Sequence, residues 1–350
     1  VQTGQWILLN GHRGEVYAYS AEAARSVQLA LPDPPLSGQT AQPCPSTNVQ
    51  VLVNLTQPMG WEKAQQVPVD GVGLVRGEWL LLSDASLSHG RGEWHPNAIH
   101  VALKQRMRET LDTLVEAFAP RPVYYRAADL RTAEFDFLRH REAPSPVEHN
   151  SDLGLRGTLR FGQDAQLFEM ELSVLKAVLQ GGNRNLRLIL PYVRSPQEVK
   201  LCLQKIKAAG LAPQDLPLWM MAEVPSVVYA LDEYVSLGIQ GIAIGLSDLT
   251  QLLLGIDRNH PAFADILAQN RFVVETAVKQ LVQKASSLDI PCLLYGSLDV
   301  LNHEAWLDAL IRSGLSGISV NLDAVIPTRW AIAQAERRLA DGLTSVEPLT

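Results

Sequence analysis

The chain has 350 residues, 47% of them hydrophobic, and a formal net charge of −7. No long basic run is present, which argues against a nucleic-acid surface. No apolar run approaches the ~20 residues needed to span a bilayer.

The length suits one large domain of roughly 250–300 residues plus an appendage. The three cysteines, Cys44, Cys202 and Cys292, are scattered and form no CxxC. That usage fits a reducing cytoplasm better than a disulfide framework. The N-terminus lacks the charged-then-apolar plan of a signal peptide. It starts at Val1 rather than Met, as a chain cut from something longer would.

Residues 1–20 read as a small β unit. WILLN and EVYAY are two strands, and Asn10-Gly11 is a hairpin turn signal. A hairpin is marginal alone, so residues 1–30 are expected to pack on, or remain from, another domain. Residues 31–48 (LPDPPLSGQTAQPCPSTN) are rich in Pro, Ser, Thr and Gln and read as an extended linker. Strand and helix then alternate over 49–341, and 342–350 is a tail. The expected strands are 49–55, 71–81, 123–128, 186–193, 218–224, 241–245, 291–296 and 317–322. Helical patterns fall at 96–119, 164–181, 196–209, 227–238, 262–287, 302–313 and 324–340. From LRLILPYV onward the strands are near-continuous apolar runs, as in a parallel sheet covered on both faces. Eight such units predict an α/β fold, a closed (β/α)8 TIM barrel of about 290 residues. A doubly wound open sheet is the alternative. The stretch 129–163 is too long for a plain loop and is expected to fold over the barrel mouth.

In such a barrel the strand C-termini share one mouth, where chemistry is done. Glu223 ends LWMMAE, and Asp248 follows GIAIG. Two hard oxygen ligands there can share a Mg²⁺ or Mn²⁺ and leave positions for substrate and water. Asp248 alternatively only caps the helix after it. Arg76 and Glu78 end the second strand, Arg126 the third and Arg194 the fourth. Arg156 and Arg160 lie in GLRGTLRF. Guanidinium forks bind carboxylate and phosphate bidentately, so several at one mouth would make a pocket for a compact polyanion. Each is alternatively a surface side chain or a structural ion pair. His95-Pro96 reads as a helix start. His89, His95 and His100 lack an i, i+4 metal pair.

GVGLVRGEWLL, VYYRAADLRTAEF, GLRGTLRF, LILPYVR, AEVPS, IGLSDLTQLLLGIDR and ISVNLDAV together resemble the C-terminal barrel of the phosphoenolpyruvate-utilising enzymes. The likeness runs from about residue 48 to 340 and is of the phosphoenolpyruvate synthase type. Pyruvate phosphate dikinase and enzyme I are more distant. The resemblance implies a barrel that binds phosphoenolpyruvate or pyruvate with Mg²⁺. It further implies a phosphohistidine on a swivelling domain as partner, in cis or in trans, and a homodimer. Glu223 and Asp248 resemble the metal ligands. Arg126 and Arg156 resemble the arginines on phosphate and enolate oxygen, and Arg76 and Glu78 the second-strand pair. Ser247 and Gly296 fall at substrate-contacting positions. Residues 1–30 resemble the end of the swivelling domain.

Three departures stand out. Ser247 occupies the place of an Asn, with Leu246 where a small polar residue is usual. Tyr295 occupies the place of the proton-donating Cys. An ordinary phenol titrates at ~10, against ~8.5 for a thiol. Cys292 is three residues back on the same strand and should face the other way. No phosphoacceptor histidine motif or ATP-binding domain accompanies the barrel, so the family's whole reaction needs more than these residues. Three functions follow in order: a synthase-type phosphotransferase barrel, a degenerate keto-acid-binding or scaffold barrel, and a Mg²⁺-dependent pyruvate-enolate lyase or aldolase.

Overall fold

Eight short apolar runs become eight parallel strands. A computed structural model describes residues 6–10, 15–19, 44–55, 60–82, 96–139, 148–257, 260–296 and 303–342. The chain divides into two units, residues 1–43 and 44–350. In the first, β1 (Trp6–Asn10) and β2 (Glu15–Tyr19) pair antiparallel, with Asn10 opposite Glu15. The residues that join them, including Gly11 of the expected turn, lie outside the described residues, as do most of the linker, His89 and His95.

In the second unit the strands are β3 (Gln50–Leu55), β4 (Gly71–Arg76), β5 (Val123–Arg126), β6 (Leu186–Leu190), β7 (Leu218–Ala222), β8 (Gly241–Gly245), β9 (Cys292–Tyr295) and β10 (Gly317–Val320). Each pairs with its successor, and β10 closes on β3. The sheet is a closed TIM-type barrel, so the open doubly wound alternative is excluded. No helix among the described residues is long and apolar enough to cross a membrane.

Strand alternation builds two apolar layers. Leu52, Leu74, Tyr124, Ile189, Trp219, Met221, Ala243, Leu293 and Tyr295 pack together as the inner plug. Their neighbours, such as Val51, Val53, Leu188, Leu190, Met220 and Cys292, join the larger layer between sheet and helices. This division is the period of two expected of a barrel whose interior is filled by side chains. Cys292 therefore faces away from Tyr295.

The larger departures from the sequence reading are in three places, while the strands expected at 123–128, 186–193 and 317–322 end earlier, at Arg126, Leu190 and Val320. The strand expected over 71–81 ends at Arg76, and Gly77–Leu82 is helical. Apart from Arg76 and Glu78 the run GLVRGEWLLL is apolar and suits either conformation, so periodicity alone could not find the break. The helix expected over 262–287 is a short turn at Pro261–Phe263, a helix Ala264–Gln269 and a helix Arg271–Ser287. The 129–163 stretch carries helices Thr132–Arg139 and Thr158–Gln163. The helix predicted from Pro96 spans Pro96–Phe118.

One buried charge carrier stands out in the outer layer. Glu171, on helix Gln166–Gln180, is fully buried. Burial raises its pKa to about 8, outweighing hydrogen bonds from Tyr125 and Ala128, while Glu78 pushes it the same way. The folded state thus holds a proton that the unfolded chain releases near 4.5. Its contribution to stability is complete below pH 4.5 and is lost as pH rises towards about 8. Urea unfolding across that window is expected to show wild type losing on the order of 3–5 kcal/mol relative to Glu171→Gln. Parallel profiles for the two proteins would refute this.

Candidate functional site

The mouth at the strand carboxyl ends is a cavity of about 1060 Å³. Arg76, Glu78, Arg126, Arg156, Glu223, Ser247, Asp248, Tyr295 and Gly296 all line it. Every residue to which the resemblance gives a site role therefore meets there. Arg160 and Arg194 do not line it. Arg160 donates to Thr132 and to the Leu155 carbonyl and lies over the Phe135 ring. Arg194 donates to the carbonyls of Arg156 and Gly154, at 3.0 and 2.9 Å. Both are structural, since they supply donors to the carbonyls of Gly154, Leu155 and Arg156 in the segment before helix Thr158–Gln163.

Strand ends fix the acidic side. Glu223 directly follows β7 and is 2% exposed. Its Oε1 accepts the Tyr192 N–H at 2.8 Å. Its Oε2 lies against Gly245, where an added Cβ would come within 2.6 Å of it. Glycine at the end of β8 is thus what leaves room for the carboxylate. Asp248 sits in the first turn of helix Leu246–Leu254. No side chain caps that helix, whose N-cap is Gly245, so Asp248 is not its N-cap. Its carboxylate instead takes an Arg156 contact at 3.4 Å. Burial, and then the negative charge of Asp248, raise the Glu223 pKa, against the pull of Arg126 and Arg156.

The basic side is held by acids of its own. Arg126 donates to Glu78, not to Glu223 or Asp248. Arg156 donates through Nε and Nη2 to Asp129, the Nε bond being 3.1 Å. Burial opposes both cations, but their carboxylates outweigh it and both pKa values are raised. Arg76 differs. Burial and the Arg126 charge lower its pKa, and no described residue forms a hydrogen bond or ion pair with it. Arg76 Nε, Arg126 Nε and Arg156 Nη1 are buried and make no hydrogen bond among the described residues, though Asp152 lies 4.0 Å from the last.

Two contributors escaped the sequence reading. Asp129 was visible as an acid three residues after Arg126 at a strand end, but nothing local shows that it grips Arg156. Tyr192 has φ 47°, a conformation that few side chains adopt. Its ring is stacked between Arg156 and Arg194, whose guanidinium carbons lie 4.1 and 4.5 Å from the ring centroid. Its hydroxyl donates to the Asp152 carbonyl at 2.8 Å. That clamp aims its N–H at Glu223, and no sequence signal announces it.

Tyr295 lines the cavity but is only 8% exposed. Its hydroxyl donates to the Gly73 carbonyl within the barrel, and burial holds its pKa well above the ordinary phenol value. A proton so held is ill placed for delivery to a ligand. Tyr295→Phe is expected to cost about 1–3 kcal/mol in urea unfolding, by orphaning that carbonyl, with little change in ligand affinity. A large loss of affinity with unchanged stability would reverse this assignment.

A closed α/β barrel with cations and acids gathered at its strand carboxyl ends defines the class: a barrel whose mouth is built for a small polar ligand. The chain belongs to the family of PEP-utilising enzymes, as their PEP-binding domain, whose family pattern matches residues 36–337. It is 28% identical over 349 residues to a probable phosphoenolpyruvate synthase of Methanocaldococcus jannaschii, covering 97% of this chain and 28% of that protein. It is 29% identical over 363 residues to the phosphoenolpyruvate synthase of Pyrococcus furiosus, covering 97% and 41%. The chain thus spans less than half the length of these relatives. Among solved structures, RipC from Yersinia pestis matches with a TM-score of 0.41 at 14% identity, covering 81% of this chain and 94% of that one.

Proposed function

We propose that the barrel binds phosphoenolpyruvate or pyruvate at this mouth, with Mg²⁺ (or Mn²⁺) held by Glu223 and Asp248. The observation that carries the reading is the gathering of Arg76, Arg126 and Arg156 around a cavity that also holds the carboxylates of Glu223 and Asp248. The donor set suits the ion. Among the described residues no three His, Cys, Asp or Glu are grouped to hold a metal. Two hard carboxylates suffice for Mg²⁺, which keeps its other positions for water and substrate oxygens. When bound, the ion would polarise the carboxylate and keto oxygens of the ligand.

The chain's own residues do the rest. Arg76, with no acid in contact among the described residues, receives the most negative group of the ligand. Arg126 and Arg156 present the remaining donors, held in place by Glu78 and Asp129. Ser247, in the first turn of the helix after β8, and Gly296, just after β9, line the mouth and would face the ligand. A phosphohistidine, in cis or in trans, is the phosphoryl partner of a synthase-type reaction, and a homodimer the assembly.

Tyr295 favours a second reading, a barrel that binds a keto acid without completing turnover. Its hydroxyl is committed to Gly73. Isothermal titration with oxalate, with and without Mg²⁺, tests the primary reading. Magnesium-dependent binding is expected, and silence under both conditions refutes it. Restored phosphoryl exchange in Tyr295→Cys supplied with a phosphohistidine partner would assign the impairment to this one side chain.

A further inference from the structure

Behind the mouth, on the far side of the barrel wall, one carboxyl touches both strand ends that carry the basic rim. Glu171 does not line the cavity. Its Oε1 accepts the Tyr125 hydroxyl and, at 2.8 Å, the Ala128 N–H. A Cβ on Gly77 would fall 2.4 Å from the Tyr125 hydroxyl, 2.6 Å from Glu171 Oε1 and 2.8 Å from the Ala128 nitrogen. Gly77 lies between Arg76 and Glu78. Tyr125 immediately precedes Arg126, and Ala128 immediately precedes Asp129. The neighbours of these three contact points are thus four of the cavity's charged residues. On the cavity side the same two strand ends are joined again, by Arg126 on Glu78 and by the Asp129 N–H, 3.4 Å from Glu78.

We propose that Glu171, with Tyr125, is a positioning residue for the basic rim, setting Arg76 and Glu78 against Arg126 and the Asp129–Arg156 pair. The proposal rests on the reading of the mouth as a small-anion site. A purely structural role is the poorer account. Glu171 is fully buried on a helix whose Phe168, Leu172 and Leu175 belong to the apolar core, and an apolar side chain there would pack without desolvating a carboxyl. Its Oε2 makes no hydrogen bond among the described residues, so the group acts through Oε1 alone. The titratable groups that act on it are Tyr125 and Glu78, and no cation among the described residues stabilises an ionised form. A neutral side chain with the same acceptor oxygen should therefore serve as well.

The test uses the full chain with Glu171→Gln, Glu171→Leu and Tyr125→Phe, read in two ways. Without ligand, hydrogen exchange of the Ala128 amide is followed. With Mg²⁺, oxalate affinity is titrated. Glu171→Gln is expected to keep amide protection and affinity near wild type. Glu171→Leu is expected to expose the amide and weaken oxalate by about tenfold, the scale of one lost hydrogen bond. Tyr125→Phe should weaken oxalate in the same direction, and it decides the matter if the leucine variant does not fold. Wild-type protection and affinity in a folded Glu171→Leu protein, or in Tyr125→Phe should leucine not fold, would overturn the proposal. If wild type itself binds no oxalate, the small-anion reading fails, and amide exchange alone then decides whether Glu171 sets the strand end.

Discussion

Asp129→Ala is expected to destabilise the protein by about 3–5 kcal/mol and to abolish magnesium-dependent oxalate binding. The Asp129 side chain is 2% exposed and that of Arg156 is 6%. Removing the acid leaves a guanidinium in a site that water hardly reaches, and an uncompensated buried charge is far more costly than a lost surface pair. The loss has a second consequence. The next nearest acids are Asp248, 3.4 Å from Arg156 Nη2, and Asp152, 4.0 Å from Nη1. Freed of Asp129, the arginine is drawn onto Asp248 and competes for an oxygen of the proposed metal site. Urea unfolding and calorimetric titration measure the two effects. Asp129→Asn keeps the shape and one acceptor, so it should lose less stability. Unimpaired oxalate binding by Asp129→Ala would show that Arg156 needs no anchor.

The second large effect concerns the acid pair, and its two parts have opposite signs. Glu223→Gln and Asp248→Asn are each expected to weaken magnesium-dependent oxalate binding by about a hundredfold or more, since each removes one of the two charged ligands proposed for the ion. Without metal, Glu223→Gln should instead be more stable than wild type, by roughly 1–2 kcal/mol. The physical cause is the confinement of two carboxylates in one buried region, where burial and Asp248 both work against the Glu223 charge. Adding Mg²⁺ should raise the stability of wild type by mass action and leave the variant unmoved. Thermal unfolding with and without Mg²⁺ reads this directly. A variant that is destabilised without metal, or that still gains from Mg²⁺, would count against Glu223 as a ligand.

Much of this barrel is legible in the sequence because parallel strands buried on both faces write themselves as apolar runs. LWMMA, GIAIG and CLLY are such runs, and the polar residue that ends or follows each one lies at the mouth. That is why Glu223, Asp248, Arg76 and Arg126 could be gathered from a one-dimensional string. The limits have equally definite causes. Strand β4 read too long because GEWLLL is apolar in a helix as in a strand. Arg194 read as a rim residue because its position is right. Its fate is decided by carbonyls 38 and 40 residues away in sequence. The Arg156–Asp129 pair, the Tyr192 N–H on Glu223 and the Glu171–Tyr125 contact join residues 27, 31 and 46 apart in sequence, and local pattern carries no record of them. Tyr295 was visible as a residue, but only its bond to Gly73 shows where its proton goes.

The central claim is that one mouth of this barrel holds a divalent cation between Glu223 and Asp248 with a small carboxylate ligand on the arginines. Crystals soaked with Mn²⁺ and oxalate, measured at a wavelength where manganese scatters anomalously, test it most directly. The account predicts a single anomalous peak bridging the carboxylates of Glu223 and Asp248, with oxalate beside it facing Arg76, Arg126 and Arg156. No peak at that pair, or manganese and oxalate bound elsewhere, would contradict it.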